Sequence, residues 1–183
     1  RQTILTMLVL GWMMAPVAHA ELHYRVWRGV TRSDMTHAQM AEAVQNRLAP
    51  MTTEVGAGKG LAGYIPAIPF QTAGISDEVA LIVYDSAEAY KTLRATPEGQ
   101  AYGAAHGEMF DMQRSSSLVA GPRGEELELG KAYNLWGGHA DWRHGVARVS
   151  VMARAPGISD RQYLRGVDRF LDGVAELNLD EGM

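Results

Sequence analysis

The sequence predicts an α+β fold: an antiparallel sheet with its helices gathered on one face. Three observations predict it. The stretch from Glu78 to Ala120 reads as strand, helix, strand, with an apolar run from Val79 to Tyr84, a long helical segment over 87–110 and a second extended run over 114–120. A strand and an amphipathic helix precede that unit, over 22–30 and 36–48. The same strand–loop–helix pattern returns over 146–177, a weak internal repeat of pattern rather than of identity.

The elements justify themselves in order. In the first strand Leu22, Tyr24 and Val26 alternate with His23, Arg25 and Trp27. Thr36 with Gln39 three residues later forms a capping box, and Met40, Ala41, Val44 and Leu48 supply the apolar stripe of the helix that follows. Pro50 is expected to stop it. Residues 55–75 are rich in Gly and Pro. Gly58, Gly60 and Gly63 match G-x-G-x-x-G, but a dinucleotide site needs a strand before the motif and a helix after it. Here a helix precedes it, so the reading is a loop that leads into a short strand over 61–65.

The run Val79–Tyr84 has the length and composition of a strand buried on both faces. Ser86 can cap the next helix, with Glu88 in its first turn. Pro97 divides that segment: Thr96 ends one short helix and Pro97 opens the next. Tyr102, His106 and Phe110 then stand four apart. Gly103 and Gly107 weaken the helix by roughly 1 kcal/mol each relative to Ala, and small residues there let it lie close to something. Strand, helix, strand, strand, helix, strand over 21–120 is the ferredoxin-like βαββαβ arrangement.

Gly121-Pro122-Arg123-Gly124 marks a break, and 121–145 reads as a linker with a short extended piece over 133–136. The second unit begins with a strand over 146–154. Ser159 and Gln162 form another capping box, and Tyr163, Val167, Phe170, Leu171 and Val174 make the stripe of its helix. The expectation for 146–183 is the first part of a second, similar unit, truncated at its end.

Residues 1–20 have the form of a secretory signal peptide: Arg1, an apolar stretch from Ile4 to Met14 too short for a comfortable membrane span, and Ala18-His19-Ala20 at the end. The expected location is periplasmic or secreted, without stable membrane association after processing. Removal of 1–20 lowers Lys and Arg from 17 to 16 against 21 acids, a net charge of −5, which disfavours nucleic acid as a partner. With no cysteine, the chain has neither a disulfide framework nor a thiol nucleophile. No G-x-S-x-G and no H-E-x-x-H occurs.

The residues from Asp85-Ser86-Ala87-Glu88-Ala89-Tyr90 through Thr96-Pro97-Glu98-Gly99-Gln100-Ala101-Tyr102 to His106 and Phe110-Asp111, set between strands, make the chain resemble the dimeric α+β barrel superfamily, with its antibiotic-biosynthesis-monooxygenase-like and stress-responsive members. The resemblance covers about 22–120 and part of 146–177. It implies two ferredoxin-like sheets, from two subunits or one tandem chain, packed face to face around a pocket. It transfers no catalytic residue, since these differ between branches.

The candidate ligand-binding residues are His23, Arg25, Trp27, Tyr102, His106 and Arg148. Leu22, Tyr24 and Val26 form the more apolar set and are expected under the helices, which sends His23, Arg25 and Trp27 to the non-helical face. There an Arg, a His and a Trp suit an acidic or aromatic ligand. Arg148 projects similarly from the second unit. A carboxylate ligand, a haem propionate or an internal acid such as Glu78 is expected to meet the arginines. His106 is a candidate pocket base or axial haem ligand, or else a helix histidine satisfied by a backbone carbonyl. His139, Asp141 and His144 are close enough to consider for a metal but fit no strong zinc spacing, and a polar connection explains them better. The reading is an exported small-molecule-binding protein. The alternatives are a periplasmic oxygenase-like or haem-binding enzyme and a non-catalytic assembly module. The residues identify no cofactor beyond haem as a candidate. The expected partners are a small-molecule ligand and a second sheet, in tandem or in a homodimer.

One prediction concerns processing. Export from a bacterial host is expected to remove residues 1–20 and leave Glu21 at the mature N-terminus. N-terminal sequencing of the exported protein checks it; a product that still carries Ile4 to Met14 favours a membrane anchor.

Overall fold

A computed structural model describes residues 22–69, 76–124, 126–134 and 154–175 of the 183. The expected signal peptide lies outside the described residues. So do residues 146–153 of the strand expected over 146–154, with Arg148, and the trio His139, Asp141 and His144.

The sheet is formed by β1 (His23–Gly29), β2 (Leu61–Ala67), β3 (Glu78–Tyr84), β4 (Ser116–Pro122) and β5 (Ala132–Asn134), in the order β2-β3-β1-β4-β5. The first four are antiparallel and in the ferredoxin-like order; β5, from the stretch expected as a linker, adds in parallel to β4. The fold is therefore α+β with a ferredoxin-like βαββαβ unit, as expected. β2 runs two residues past its expected end and contains Pro66. A proline there removes a donor, which an edge strand tolerates.

The first helical segment departs from expectation. α1 (His37–Ala43) begins with the Thr36–Gln39 capping box. It passes through a π-helical turn, Val44–Leu48, into α2 (Ala49–Gly56). Pro50 thus does not stop the helix. It falls in the first turn after the π-helical stretch, where a missing N–H and a fixed φ are least disruptive. Gly58 and Gly60, with φ of 67° and 86°, form the turn into β2, so the G-x-G-x-x-G match is a left-handed turn.

The second helical segment follows expectation. α3 (Ala87–Ala95) is capped by Ser86, whose side chain accepts from the Ala89 amide. α4 (Pro97–Met109) is capped by Thr96, which accepts from the Gly99 amide at 3.0 Å and donates to the Leu93 carbonyl at 2.8 Å. One threonine thus closes α3 and opens α4. α5 (Asp160–Ala175) carries the Ser159–Gln162 capping bonds and is tied to the residue after β4 by Arg123 with Asp168 and Asp172. No helix among the described residues is long and apolar enough to cross a membrane.

The face of the sheet that meets the helices is the reverse of the expected one. The core joins Trp27 of β1 and Ala80, Ile82 and Tyr84 of β3 with Met40, Val44, Leu48, Leu93, Tyr102, Ala105, Met109 and Phe110. The register places Trp27 opposite Ala80, Arg25 opposite Ile82 and His23 opposite Tyr84, so His23, Arg25 and Trp27 lie on the helix side. Tyr24 and Val26 share the other face with Val79, Leu81, Val83 and Leu118. The reason is size. Trp27 has the largest apolar surface in β1, and its burial outweighs the summed hydropathy of the Leu22, Tyr24 and Val26 set.

The shared cap gives a direct test. Thr96→Ala removes a bond at the end of α3 and another at the start of α4, and is expected to cost about 1–2 kcal/mol. Thermal denaturation checks it; an unchanged Tm contradicts the double role.

Candidate functional site

β1 is the middle strand of the five, and its helix-side residues point into the layer between the sheet and α3–α4. Trp27 is buried there; Arg25, one pleat further along, stays half-buried. Its guanidinium donates to Ser117 Oγ at 2.9 Å and lies 4.1 Å over the Tyr90 ring. α3 presents Tyr90 and, four residues on, Arg94. Arg94 donates to the Gly99 carbonyl at 2.8 Å. Its guanidinium lies against Gly103, where a Cβ would sit 2.4 Å from Arg94 Nη1. The close approach expected at that glycine is therefore made by a cation.

These side chains enclose a cavity of about 180 Å³, lined by Arg25, Trp27, Tyr84, Tyr90, Arg94, Tyr102, His106 and Ser117 among others. Four of the six expected ligand residues, Arg25, Trp27, Tyr102 and His106, meet in it. It lies beneath the helices and not on the non-helical face. His23 stands beside the site, with its ring 5.6 Å from Tyr90 and its Nε2 buried without a partner among the described residues. Arg148 lies outside the described residues. Tyr84, Tyr90, Arg94 and Ser117 were not expected. The four-residue spacing of Tyr90 and Arg94 on one helix face was the available signal for that pair; β4 offered none for Ser117.

His106 is held between two rings. Trp27 meets it edge-on at 5.0 Å and Tyr102 at 4.7 Å. Its Nδ1 lies 2.9 Å from the Tyr102 carbonyl. A carbonyl only accepts, so Nδ1 carries the proton and Nε2 is the basic nitrogen. Burial pushes the His106 pKa down and Arg94 adds to that, against the opposing bond to Tyr102. His23 is lowered too, by burial, Arg25 and Lys91. Both imidazoles are thus neutral near pH 7, and the positive charge of the site belongs to the two arginines.

Glu78 does not meet the arginines. It is wholly buried at the start of β3, where it accepts from Trp27 Nε1 at 3.0 Å and from the Tyr64 hydroxyl at 3.5 Å. Burial raises its pKa from 4.5 to about 7, against the two donors. Tyr102 is held by Thr52, whose Oγ lies 3.2 Å from the Tyr102 hydroxyl. Burial pushes the Tyr102 and Tyr64 hydroxyls up, beyond ionisation near neutral pH.

Among the described residues no three His, Cys, Asp or Glu side chains cluster. The cavity is smaller than the ~300 Å³ at which pockets for drug-sized ligands begin, so its residues do not fit a haem macrocycle.

No family model and no curated protein matches the sequence. Solved structures do. The chain is similar to Rv0793 from Mycobacterium tuberculosis at 24% identity, over 57% of this chain and 97% of that one, with a TM-score of 0.40. It is similar to SnoaB, a cofactor-independent oxygenase from Streptomyces nogalater, at 16% identity, over 57% and 96%, with a TM-score of 0.43. It is also similar to a dimeric ferredoxin-like protein of unknown function from Thermobifida fusca at 13% identity, over 55% and 90%, with a TM-score of 0.44. A putative antibiotic biosynthesis monooxygenase and dimeric ferredoxin-like proteins are among the similar structures. The ferredoxin-like fold is given by this chain's own strand order, β2-β3-β1-β4.

Glu78 gives a pH prediction. Its folded pKa is raised, so the folded protein binds more protons than the unfolded chain between 4.5 and about 7. The associated stability is complete below 4.5 and is lost as pH rises through about 7. Glu78→Gln does not ionise. Its stability relative to wild type is expected to improve by roughly 2–3 kcal/mol between acid and mildly alkaline pH. Denaturant unfolding at a series of pH values checks it, and a pH-independent difference contradicts it.

Proposed function

We propose that this chain is a small-molecule-binding protein whose pocket, between the sheet and α3–α4, takes an acidic ligand with one or two aromatic rings. One observation carries the reading: two guanidiniums, Arg25 and Arg94, converge with Trp27, Tyr84, Tyr90 and Tyr102 on a single cavity of about 180 Å³. Guanidinium pairs with a carboxylate and stacks on rings, and the aromatic walls bury the flat body of such a ligand. Export to the periplasm or the medium is part of the proposal and rests on the form of residues 1–20. Pairing with a second sheet, in a homodimer or in tandem, is also part of the proposal. The face bearing Tyr24, Val26, Val79, Leu81 and Leu118 supports it, since these mostly apolar side chains are only half-buried.

A catalytic reading has one observation in its favour. His106 lines the same cavity as a neutral base with Nε2 as its acceptor. A phenolic or enolic hydroxyl could pass its proton to that nitrogen, and the resulting anion would lie beside Arg25 and Arg94. The binding reading does not depend on this step.

Calorimetric titration with 1-hydroxy-2-naphthoate, and with neutral 1-naphthol as the control, tests the proposal. The acid is expected to bind and the neutral ring to bind much more weakly. Arg25→Ala is expected to weaken acid binding by about 1.5 kcal/mol, the lower end for a hydrogen bond to a charged group, or about tenfold, with little effect on folding. Equal affinity for acid and neutral ligand, or an unchanged affinity in the variant, overturns it.

A further inference from the structure

We propose that Glu78 is a positioning residue of the pocket: its carboxyl fixes the Trp27 indole, which with Tyr102 sets the orientation of the His106 ring between them. The proposal rests on the binding reading above and adds to it a residue that does not touch the ligand.

Position 78 opens a strand whose next six residues are Val-Ala-Leu-Ile-Val-Tyr. An apolar residue there would extend the core at no electrostatic cost. Glu78 is instead wholly buried, and no ion pair of its carboxyl is found among the described residues. A carboxyl group in that setting costs stability, so its retention calls for a use. Its near partner is the Trp27 indole N–H at 3.0 Å.

On its nitrogen side the indole meets Gly29, where a Cβ would sit 2.9 Å from Nε1 and 2.5 Å from Phe110 Cε1, so the indole and the Phe110 ring share the space that this glycine leaves. An indole N–H donates only, so a fixed acceptor picks one ring orientation, and a carboxylate is a stronger acceptor than a neutral oxygen. That orientation puts Trp27 edge-on to His106 at 5.0 Å and to Phe110 at 5.5 Å. On the other side Tyr102, anchored through Thr52, meets His106 at 4.7 Å. The imidazole is clamped by two rings, each tied from behind by a buried polar group.

The experiment uses the full chain and two variants at mildly alkaline pH, above the Glu78 pKa of about 7, where the carboxyl is ionised. Glu78→Met fills similar space without an acceptor; Glu78→Gln keeps an acceptor without the charge. The readouts are the affinity for 1-hydroxy-2-naphthoate and the Trp27 indole N–H resonance in a ¹⁵N–¹H spectrum, assigned by its loss in Trp27→Phe. Glu78→Met is expected to fold with an equal or higher Tm, to bind the acid about tenfold more weakly, and to show the indole resonance shifted upfield. Glu78→Gln is expected to hold affinity within about twofold, with a smaller upfield shift. A folded Glu78→Met with wild-type affinity and an unmoved indole resonance overturns the proposal. If Glu78→Met does not fold, Glu78→Gln decides, and an unmoved resonance there overturns it. If the wild type does not bind the acid, the ligand reading fails, and the indole resonance still decides the role of Glu78.

Discussion

The burial of Trp27 beneath α4 is the interaction on which the rest of this structure depends. β1 is the middle strand of the five, and a strand shows alternate residues to opposite faces. Once Trp27 faces the helices, Arg25 and His23 must face them too. β3 offers no competing preference, because its two faces, Ala80-Ile82-Tyr84 and Val79-Leu81-Val83, are both apolar. A shift of one residue would send the indole to the other face and Tyr24 and Val26 into the helix layer. It would also part Trp27 from Glu78 and His106.

That choice creates the cavity. A guanidinium under a helix layer cannot be packed like Leu; it needs acceptors, rings or water. Arg25 finds Ser117 and Tyr90, and Arg94 finds the Gly99 carbonyl and the gap at Gly103. Among the described residues neither meets a carboxylate: Glu78, an acid on the same side of the sheet, is bonded to Trp27 and Tyr64 instead. The site is therefore cationic by arrangement, with neutral imidazoles beside it. This is the opposite of a self-neutralised ion pair, and it leaves the charge to be met by something that enters.

Local signals in the sequence were legible, and tertiary ones were not. The Thr36–Gln39 and Ser159–Gln162 boxes, the Ser86 cap and the Thr96-Pro97 junction depend on neighbours three or four residues apart, and each forms as read. Pro50 misled because a proline stops a regular α-helix but not one that has just passed through a π-helical turn, and nothing local announces such a turn. The covered face was misjudged because three alternating residues were compared by hydropathy, whereas one large ring decides burial. Arg25, Trp27, Tyr102 and His106, expected together at one site, share a cavity whichever face is named. Arg94 was missed because a charged residue at the end of a helix reads as solvated unless the glycine facing it is known.

The break at Thr96-Pro97 is what brings the two halves of the site together. An uninterrupted helix from Ala87 to Met109 would be straight and would carry Tyr90 and His106 about 24 Å apart along its axis. The break turns α4 back on α3 so closely that a Cβ at Gly99 would fall 2.0 Å from the Leu93 carbonyl oxygen. Tyr90 and Arg94 from the first helix, and Tyr102 and His106 from the second, then face one cavity over one strand. A junction that looks like a defect in a helix thus folds both helices over the cavity. The two small residues after it, Gly99 for the backbone and Gly103 for the guanidinium, are the space that the fold requires there.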